Sequence, residues 1–587
     1  MNIAEFLNVN AEKHPYKPAI GFKVRDEWKE LNWPKFRDMV FRTANSLREA
    51  GIKENDKVAI YSDNSAEWIT MDLAVLSVGA VTVPVYSTNN MEQAAYILDD
   101  SEARIVLVGN QEQYDACYEH LGQSRFLQLI ILAKKKDWIK KDRSVYFEDF
   151  IKKSSPKFEI CPKKEDDLAT LIYTSGTTGV PKGVMLTHGN FKKCFDAHFD
   201  FFKFKNFENE HSLAFLPLSH VFERSWTLLS LSGGAKVTFL ENTKLIAHTL
   251  TEVKPTMMCA VPRFYQKIYS GVNEMVKEGS DIKKKIFNWS LDVGSEVAEL
   301  KRIEKAVPVG LKLKNSVANR LVFQKIKDKM GGKLWFMPCG GASLSPDVTR
   351  FFDAMGIHIT VGYGLTETTA TLTAFPFTQY KHGSAGIALG DTQIKIGENS
   401  EILAKGSGIM KGYYKKTQET AEVFTEDGWF KTGDAGEFDE QGNLTITDRI
   451  KDLMKTSNGK YVAPQPIENL LSNNSLIEQV MVVAEGKPFV TALIVPNFEF
   501  LKQQLEKLNI PFSSWKEIVD MQQIKDLYNQ KIEELQAGLS GFEKVKKFAL
   551  MPAEFEISAG EITPTLKIKR NILLKKYEEL IERMYRN

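Results

Sequence analysis

Eleven residues, Tyr173-Thr174-Ser175-Gly176-Thr177-Thr178-Gly179-Val180-Pro181-Lys182-Gly183, gather three glycines, four aliphatic hydroxyls and one lysine directly after an apolar run from Leu168 to Ile172. These residue types suit an anion. Glycines let backbone N–H groups approach it, hydroxyls add donors, and lysine supplies positive charge. A triphosphate tail fits such a loop. The P-loop pattern G-x-x-x-x-G-K-[ST] fails, because Pro181 stands in place of its second glycine and Gly183 follows Lys182 where Ser or Thr is required. The competing reading is a solvated Gly/Thr surface loop.

Four further segments follow in order: Tyr363-Gly364-Leu365-Thr366-Glu367, Trp429-Phe430-Lys431-Thr432-Gly433-Asp434, Asp448-Arg449-Ile450-Lys451-Asp452 and Thr563-Pro564-Thr565-Leu566-Lys567. With the glycine-rich loop they resemble the signature motifs of the adenylate-forming superfamily, which includes acyl-CoA synthetases, luciferases and peptide-synthetase adenylation domains. Val58 to Val85 resembles that superfamily's N-terminal βαβ unit, so the likeness covers nearly the whole chain.

The resemblance implies that a carboxylate attacks the α-phosphorus of ATP and pyrophosphate leaves. Two anions must meet, which calls for positive charge, aligned donors and Mg2+. By the same resemblance Thr174, Ser175, Gly176, Thr177, Thr178 and Gly179 cradle phosphates with Lys182 nearby, and Thr366 holds phosphate beside Glu367. Glu367 is then the magnesium ligand, with Thr174 the second metal-site residue. Asp434 takes the ribose hydroxyls with Arg449 as its partner. Gly340, Gly341 and Ala342 lie by the adenine and Tyr363 stacks on it, with Gly364 a further nucleotide-binding residue, although a plain strand-to-helix turn explains Gly340 and Gly341 almost as well. Lys567 is the expected adenylation lysine and Lys569 the near alternative, since Leu566 stands where many relatives have glycine. The hinge falls at Lys451. The loop Thr456 to Tyr461 resembles the one that enters for thioester formation, where Gly459 would let pantetheine pass; a simple turn is the alternative.

The segments Leu216 to Arg224, Val261 to Tyr269 and Val462 to Glu468 narrow the likeness to long-chain fatty acyl-CoA synthetases. His220 and Trp226 would then border an acyl pocket, against the reading of His220 as a core histidine. Fatty acid, ATP and CoA are the implied partners. The rivals are a fatty-acyl-AMP ligase loading a carrier protein, a stand-alone amino-acid adenylation domain, and a silent nucleotide-binding or membrane-scaffold protein.

Positioning such residues takes several layers. Val58 to Tyr61, Val81 to Val85 and Arg104 to Val108 read as strands around a helix from Ser65 to Val78, closed by Gly79. The alternation recurs: strands at 236–240, 256–261, 333–337 and 357–361, helices at 244–253 and from Ser345-Pro346 to Gly356. The last strand delivers Tyr363 to Glu367 to a strand end, where open α/β sheets bind ligands. Residues 383–442 read as a small β-rich subdomain. After Asp448 the chain begins afresh, with strands at 480–483 and 491–495 and a helix at 524–535. The expected fold is α/β, acetyl-CoA synthetase-like: a large multi-layer α/β domain with a small β-barrel-like subdomain over 1–447, a hinge at 448–452, and a small mobile α+β domain over 453–587.

Length 587, 43% hydrophobic residues and a net charge of +2 describe a globular chain with no whole-molecule field for nucleic acid. Five scattered cysteines without a C-x-x-C pair argue against disulfides and zinc. Met1 to Glu5 lacks an export signal, and Leu73 to Val83 is too short to span a bilayer, so a cytoplasmic enzyme is expected. Residues 281–333 depart from the neutral balance with 13 Lys/Arg against 6 Asp/Glu. That segment is a candidate for peripheral contact at an inner membrane face; the competing reading is a solvated helical insertion whose Phe287 and Trp289 dock on the body. A homodimer is also compatible with the sequence.

Overall fold

A computed structural model describes residues 2–140, 142–175, 180–449, 453–556, 559–563 and 568–586. Its main sheet has seven strands. In chain order these are β1 (Lys57–Tyr61), β2 (Val81–Val85), β3 (Ala103–Val108), β4 (Leu129–Leu132), β5 (Ser144–Tyr146), β6 (Leu168–Ser175) and β7 (Pro181–Thr187). Their spatial order is β5-β4-β3-β1-β2-β6-β7, parallel except for the final β6–β7 hairpin. The expected N-terminal βαβ unit is present: α1 (Ala66–Val78) joins β1 to β2, capped by the Ser65 side chain and ended by Gly79 at φ 83. Almost every residue of α1 is buried, as expected of a helix covered on both sides.

Two four-stranded sheets follow, one pairing 211–214, 236–239, 18–24 and 27–32 in that order, the other beginning with 336–339 and 358–363. The strand expected at 256–261 is reduced to single bridges, from Met257 to Ser212 on one side and from Met257 and Ala260 to Phe336 and Cys339 on the other. Pro338, opposite this segment, has no N–H to give a continuous ladder, so the segment stitches the two sheets together without becoming a strand. The expected helix at 244–253 opens instead with a 3-10 turn at Thr243–Leu245.

The helices of this region are α2 (Val221–Ser232), α3 (Pro262–Lys277), α4 (Asp281–Arg302) and α5 (Val309–Ala318), followed by β8 (Phe336–Cys339), α6 (Pro346–Ala354) and β9 (His358–Tyr363). The basic segment is therefore a helical layer, with α4 packed against α6 and α5 packed on α4. Phe287 docks in the core as expected, whereas Trp289 is exposed. The β-rich subdomain is an antiparallel meander of β10 (Gln393–Ile396), β11 (Glu401–Lys405), β12 (Phe430–Phe438) and β13 (Leu444–Arg449).

Beyond β13 lie α7 (Pro464–Ser472), β14 (Ile477–Val483), β15 (Val490–Pro496), α8 (Gln522–Leu535) and β16 (Val545–Leu550), with β14, β15 and β16 forming one three-stranded sheet. This part buries its own apolar residues: Met454, Ile467, Val482, Ile494 and Tyr528 form one cluster on the α7 and α8 side, and Met481, Leu493, Phe555 and Ile581 another on the opposite face. All five cysteines are buried and free.

Candidate active site

The glycine-rich loop is carried by the β6–β7 hairpin, whose register sets Thr174 opposite Lys182 and Ser175 opposite Pro181. Gly176, Thr177, Thr178 and Gly179, together with the Ser175 side chain, lie outside the described residues. Segment 411–414 runs along β7: Met185 donates its N–H to Gly412 O at 3.0 Å and Tyr414 donates to Gly183 O at 2.8 Å. That contact brings Tyr413 in. Its ring lies 5.3 Å from Lys182 Nζ, and its hydroxyl donates to Glu367 Oε1 at 2.9 Å. Sequence reasoning missed Tyr413, because Gly412-Tyr413-Tyr414 matches no quoted motif and its role arises only from the pairing with β7.

Glu367 sits in a 3-10 turn directly after β9, fixed by Met410 N–H donating to its carbonyl at 2.8 Å. Burial pushes its carboxyl above the usual range, opposed by the Tyr413 hydrogen bond and the Arg449 charge. Burial, together with the Glu367 charge, in turn keeps Tyr413 protonated. Gly364 is dictated by packing, since a Cβ there would meet Ala370 O at 2.2 Å. Thr366 is buried in the same turn.

The second carboxylate belongs to the meander. Asp434 on β12 faces Arg449 on β13 across the antiparallel ladder, and its Oδ1 lies 3.2 Å from Arg449 Nε. Oδ2 accepts from the Tyr363 hydroxyl at 2.7 Å. Burial and the adjacent Asp434 charge push the Tyr363 phenol well above its ordinary range, so it stays a donor. Gly433 adopts φ 74, a conformation that glycine takes without Cβ strain, and donates its N–H to Glu401 Oε1 at 3.1 Å.

Gly341, at φ 92, opens the turn from β8 to α6, and a Cβ there would find only Val261 at 4.0 Å. Ala342 is half-buried. Next to them Ser343 Oγ accepts from Asn469 of α7. Further contacts of the same kind join the last 135 residues to the rest: Arg263 and Lys267 of α3 clasp Glu478 at 2.7 and 2.8 Å, and Gln266 donates to Asn473 at 3.1 Å.

His220 caps α2, its Nδ1 accepting from Phe222 N–H at 3.2 Å, and its ring stands 6.5 Å from that of Tyr86. It is a partly exposed cap, not a core histidine. The turn that presents it is clamped. Arg224 makes a buried bidentate pair with Asp72 at 2.6 and 2.9 Å and donates to Thr170 of β6 at 2.6 Å, and Asn64 accepts from Leu218 N–H at 2.9 Å. Loss of one partner of such a pair costs about 3–5 kcal/mol. Trp226 is not at the surface beside His220: it lies buried farther along α2, donating to Ser212 Oγ at 2.9 Å and packing on Phe336. Gly459, at φ 78, forms a turn open enough that a Cβ would touch nothing within 4 Å. Lys451, expected at the hinge, and Lys567, the expected adenylation lysine, lie outside the described residues; Lys569 precedes a helix at Arg570–Lys576, with its N–H donated to Glu561 O at 2.8 Å.

Comparison with known proteins gives the same outline. Residues 7–414 match the family described as AMP-binding enzyme, and residues 451–587 match the AMP-binding enzyme C-terminal domain. The long-chain-fatty-acid–CoA ligase FadD15 of Mycobacterium bovis is 32% identical over 565 residues, 95% of this chain and 92% of the relative. Among solved structures, the adenylation domain of a carboxylate reductase from Mycobacterium chelonae superposes with a TM-score of 0.77 at 20% identity, covering 100% of this chain and 91% of that one. The anthranilate CoA ligase AuaEII bound to anthranoyl-AMP gives 0.76 at 18% identity, covering 99% and 98%.

Proposed function

Since the chain belongs to the AMP-binding enzyme family, we propose that it activates a long- or medium-chain fatty acid in two steps, first to the acyl-adenylate and then to acyl-CoA. In the first, a carboxylate oxygen forms a bond to the α-phosphorus of ATP, and the α–β bridging bond breaks with its electron pair leaving on pyrophosphate. In the second, the CoA sulfur bonds the acyl carbon, AMP departs with the C–O electron pair, and the thiol proton passes to water. The observation that best supports this reading is the pair of carboxylates set on separate elements with distinct partners, Glu367 with Tyr413, whose ring lies by Lys182, and Asp434 with Tyr363 and Arg449.

A carboxylate has four lone-pair sites; Asp434, oriented by Tyr363 and Arg449, would accept from two vicinal ribose hydroxyls. Tyr363 holds that carboxylate in place while its ring bounds the base. Lys182 and the hydroxyl of Thr174, paired across the hairpin, supply charge and a donor to phosphate. Glu367 fits a hard cation, because a partly desolvated carboxylate beside phosphate oxygens is the donor set Mg2+ prefers. Bound there by Glu367 and the phosphates that Thr174 helps to hold, magnesium would neutralise charge on the leaving pyrophosphate. Lys567 would bridge the substrate carboxylate and the α-phosphate, Gly459 would lie along the pantetheine path, and Lys451 would be the pivot between 1–447 and 453–587.

His220, on the turn fixed by Arg224, and Tyr86, just past β2, would border the acid's entry, with Trp226 bounding the acyl pocket from within. Each buried methylene contributes about 0.8 kcal/mol, so kcat/KM should rise roughly fourfold per methylene until the pocket is filled. Residence at an anionic inner membrane face, and self-association of the chain, extend the same reading, as the substrate partitions into lipid.

The test is acid-dependent ATP–pyrophosphate exchange across acids from acetate to stearate, repeated with CoA to follow thioester and AMP. Exchange confined to longer acids, with one AMP released per acyl-CoA, is expected. Formation of ADP, or thioester without AMP, would overturn the reading.

A further inference from the structure

Helix α5 turns an apolar row to solvent. Val309, Leu313 and Val317, spaced four residues apart, are 73%, 65% and 49% exposed, while Leu311 and Ala318 on its other side are buried against α4. Leu321 continues the exposed row into the following π-helical turn. On the neighbouring α4, Ile282, Ile286 and Trp289 are exposed as well.

Along α5 and its continuation the charge has one sign, while the exposed carboxylates Asp281, Asp292, Glu296 and Glu299 belong to α4. Between Glu304 and Asp328 there are six lysines and arginines and no carboxylate. Among the described residues, Lys312, Lys314 and Arg320 are exposed and in no salt bridge. Lys312, Ser316 and Arg320 form the row beside the apolar one, as the helical repeat of 3.6 requires. An aliphatic stripe flanked by cations, with an exposed tryptophan nearby, is the composition that settles at a lipid headgroup boundary. A second copy of the chain fits less well: a two-fold contact would set these cations against each other.

We propose that the solvent face of α5, assisted by the exposed residues of α4, docks on an anionic lipid surface. This rests on the peripheral residence proposed above and assigns the element that makes it. The docking layer is joined to the candidate site through α3, which starts at Val261 beside Gly341, packs on α4 and ends near Met275, 3.9 Å from Lys329. A bilayer-borne acid would thus meet a protein already anchored by the layer that carries one wall of the site.

The experiment is flotation of the full chain with vesicles of phosphatidylcholine and phosphatidylglycerol, against phosphatidylcholine alone, at low and high salt. The wild type should float only with the anionic vesicles and be released by salt. Removing charge with Lys312→Gln, Lys314→Gln and Arg320→Gln together should weaken binding on the order of a hundredfold, roughly fivefold per cation. Leu313→Ser with Val317→Ser should weaken it too, while melting temperature and exchange activity on a water-soluble medium-chain acid stay unchanged, because these side chains are exposed and remote from the site. If the wild type ignores anionic vesicles, both residence and docking face fall. If it floats and the α5 variants float equally, the assignment of α5 is wrong and residence stands. A dimer by light scattering that both variants convert to monomer, without vesicle binding, would give this face to a second copy and overturn the proposal.

Discussion

Asp434 and Glu367 each hold one hydroxyl donor before any ligand arrives, and that allows their contributions to be separated. Asp434→Asn removes a charged acceptor from Tyr363 and Arg449; loss of charge-assisted hydrogen bonds worth about 1.5–3 kcal/mol should lower kcat/KM for ATP by roughly 10- to 100-fold, with dependence on the acid unchanged. Tyr413→Phe should raise the magnesium concentration needed for half-maximal exchange, because Glu367 loses its orienting donor, and should leave the KM for CoA unaltered. Lys567→Ala should abolish most pyrophosphate exchange, by roughly 100- to 1,000-fold, yet spare acyl transfer from preformed adenylate; equal loss of both half-reactions would refute that division. Glu223 offers a pH test. Buried and accepting from Leu216 N–H at 3.0 Å and Cys259 Sγ at 3.4 Å, it has its carboxyl pushed by burial from 4.5 up to about 8. A carboxyl whose folded value is raised stabilises the fold fully below 4.5, and that contribution declines as pH rises to about 8. Glu223→Gln should therefore flatten the fall in melting temperature over that window. Motif residues were legible because their types announce their chemistry. Tyr413 and Glu223 were not, since a tyrosine or a glutamate acquires its role from what the fold sets beside it.

Elements carry the site by their ends and their joints. β9 delivers Tyr363 at its last residue and Glu367 in the turn beyond, and the backbone can turn there only because Gly364 lies against Ala370 O. Gly364→Ala should destabilise the protein by several kcal/mol in thermal melts. At the contact between α3 and the C-terminal part, burial would raise the Glu478 carboxyl, but Arg263 and Lys267 more than offset it and hold it below its usual value. A depressed carboxylate contributes above 4.5 and is lost as pH falls through its folded value. Acid should thus free this contact, as should Glu478→Gln at neutral pH, raising the radius of gyration in small-angle scattering. A partly exposed pair of this kind is worth only about 1 kcal/mol. The βαβ unit, α6 with its Ser345-Pro346 start and the C-terminal strands could all be read from periodicity and caps, with boundaries that differ by at most three residues. Two-residue strands at Thr373–Ala374 and Ile387–Ala388 could not, because nothing so short has a period; the broken ladder at 256–261 depended on Pro338, a neighbour in space and not in sequence.

Across the whole molecule the apolar cores respect one division. Among the described residues, three clusters draw on residues from Ile3 to Phe430 and two on residues from Met454 to Met584, and none mixes the two sets. The described side-chain contacts between the parts are polar: the Glu478 pairs, Gln266 with Asn473, Ser343 with Asn469, and Lys507 with Glu278 at 2.9 Å. Cooperative unfolding follows shared apolar burial, so polar contacts of modest worth should leave the two parts to melt separately. Calorimetry of the full chain should accordingly resolve two transitions, and Glu478→Gln should widen their separation. The proposed nucleotide contacts tie this division to function, because Lys182, Tyr363, Glu367, Asp434 and Arg449 all lie on the N-terminal side, while Lys567 would meet the α-phosphate only together with the substrate carboxylate it bridges. AMP at a hundred times its dissociation constant adds about 2.7 kcal/mol to the part that binds it. Spread over an unfolding entropy of ~2.1 cal/mol/K per residue, that raises the larger transition by about 3 °C and leaves the smaller one in place. A single transition with equal calorimetric and van't Hoff enthalpies, or an AMP shift in the smaller transition, would show that the two parts share their stability and that the hinge is not where their cooperativity breaks.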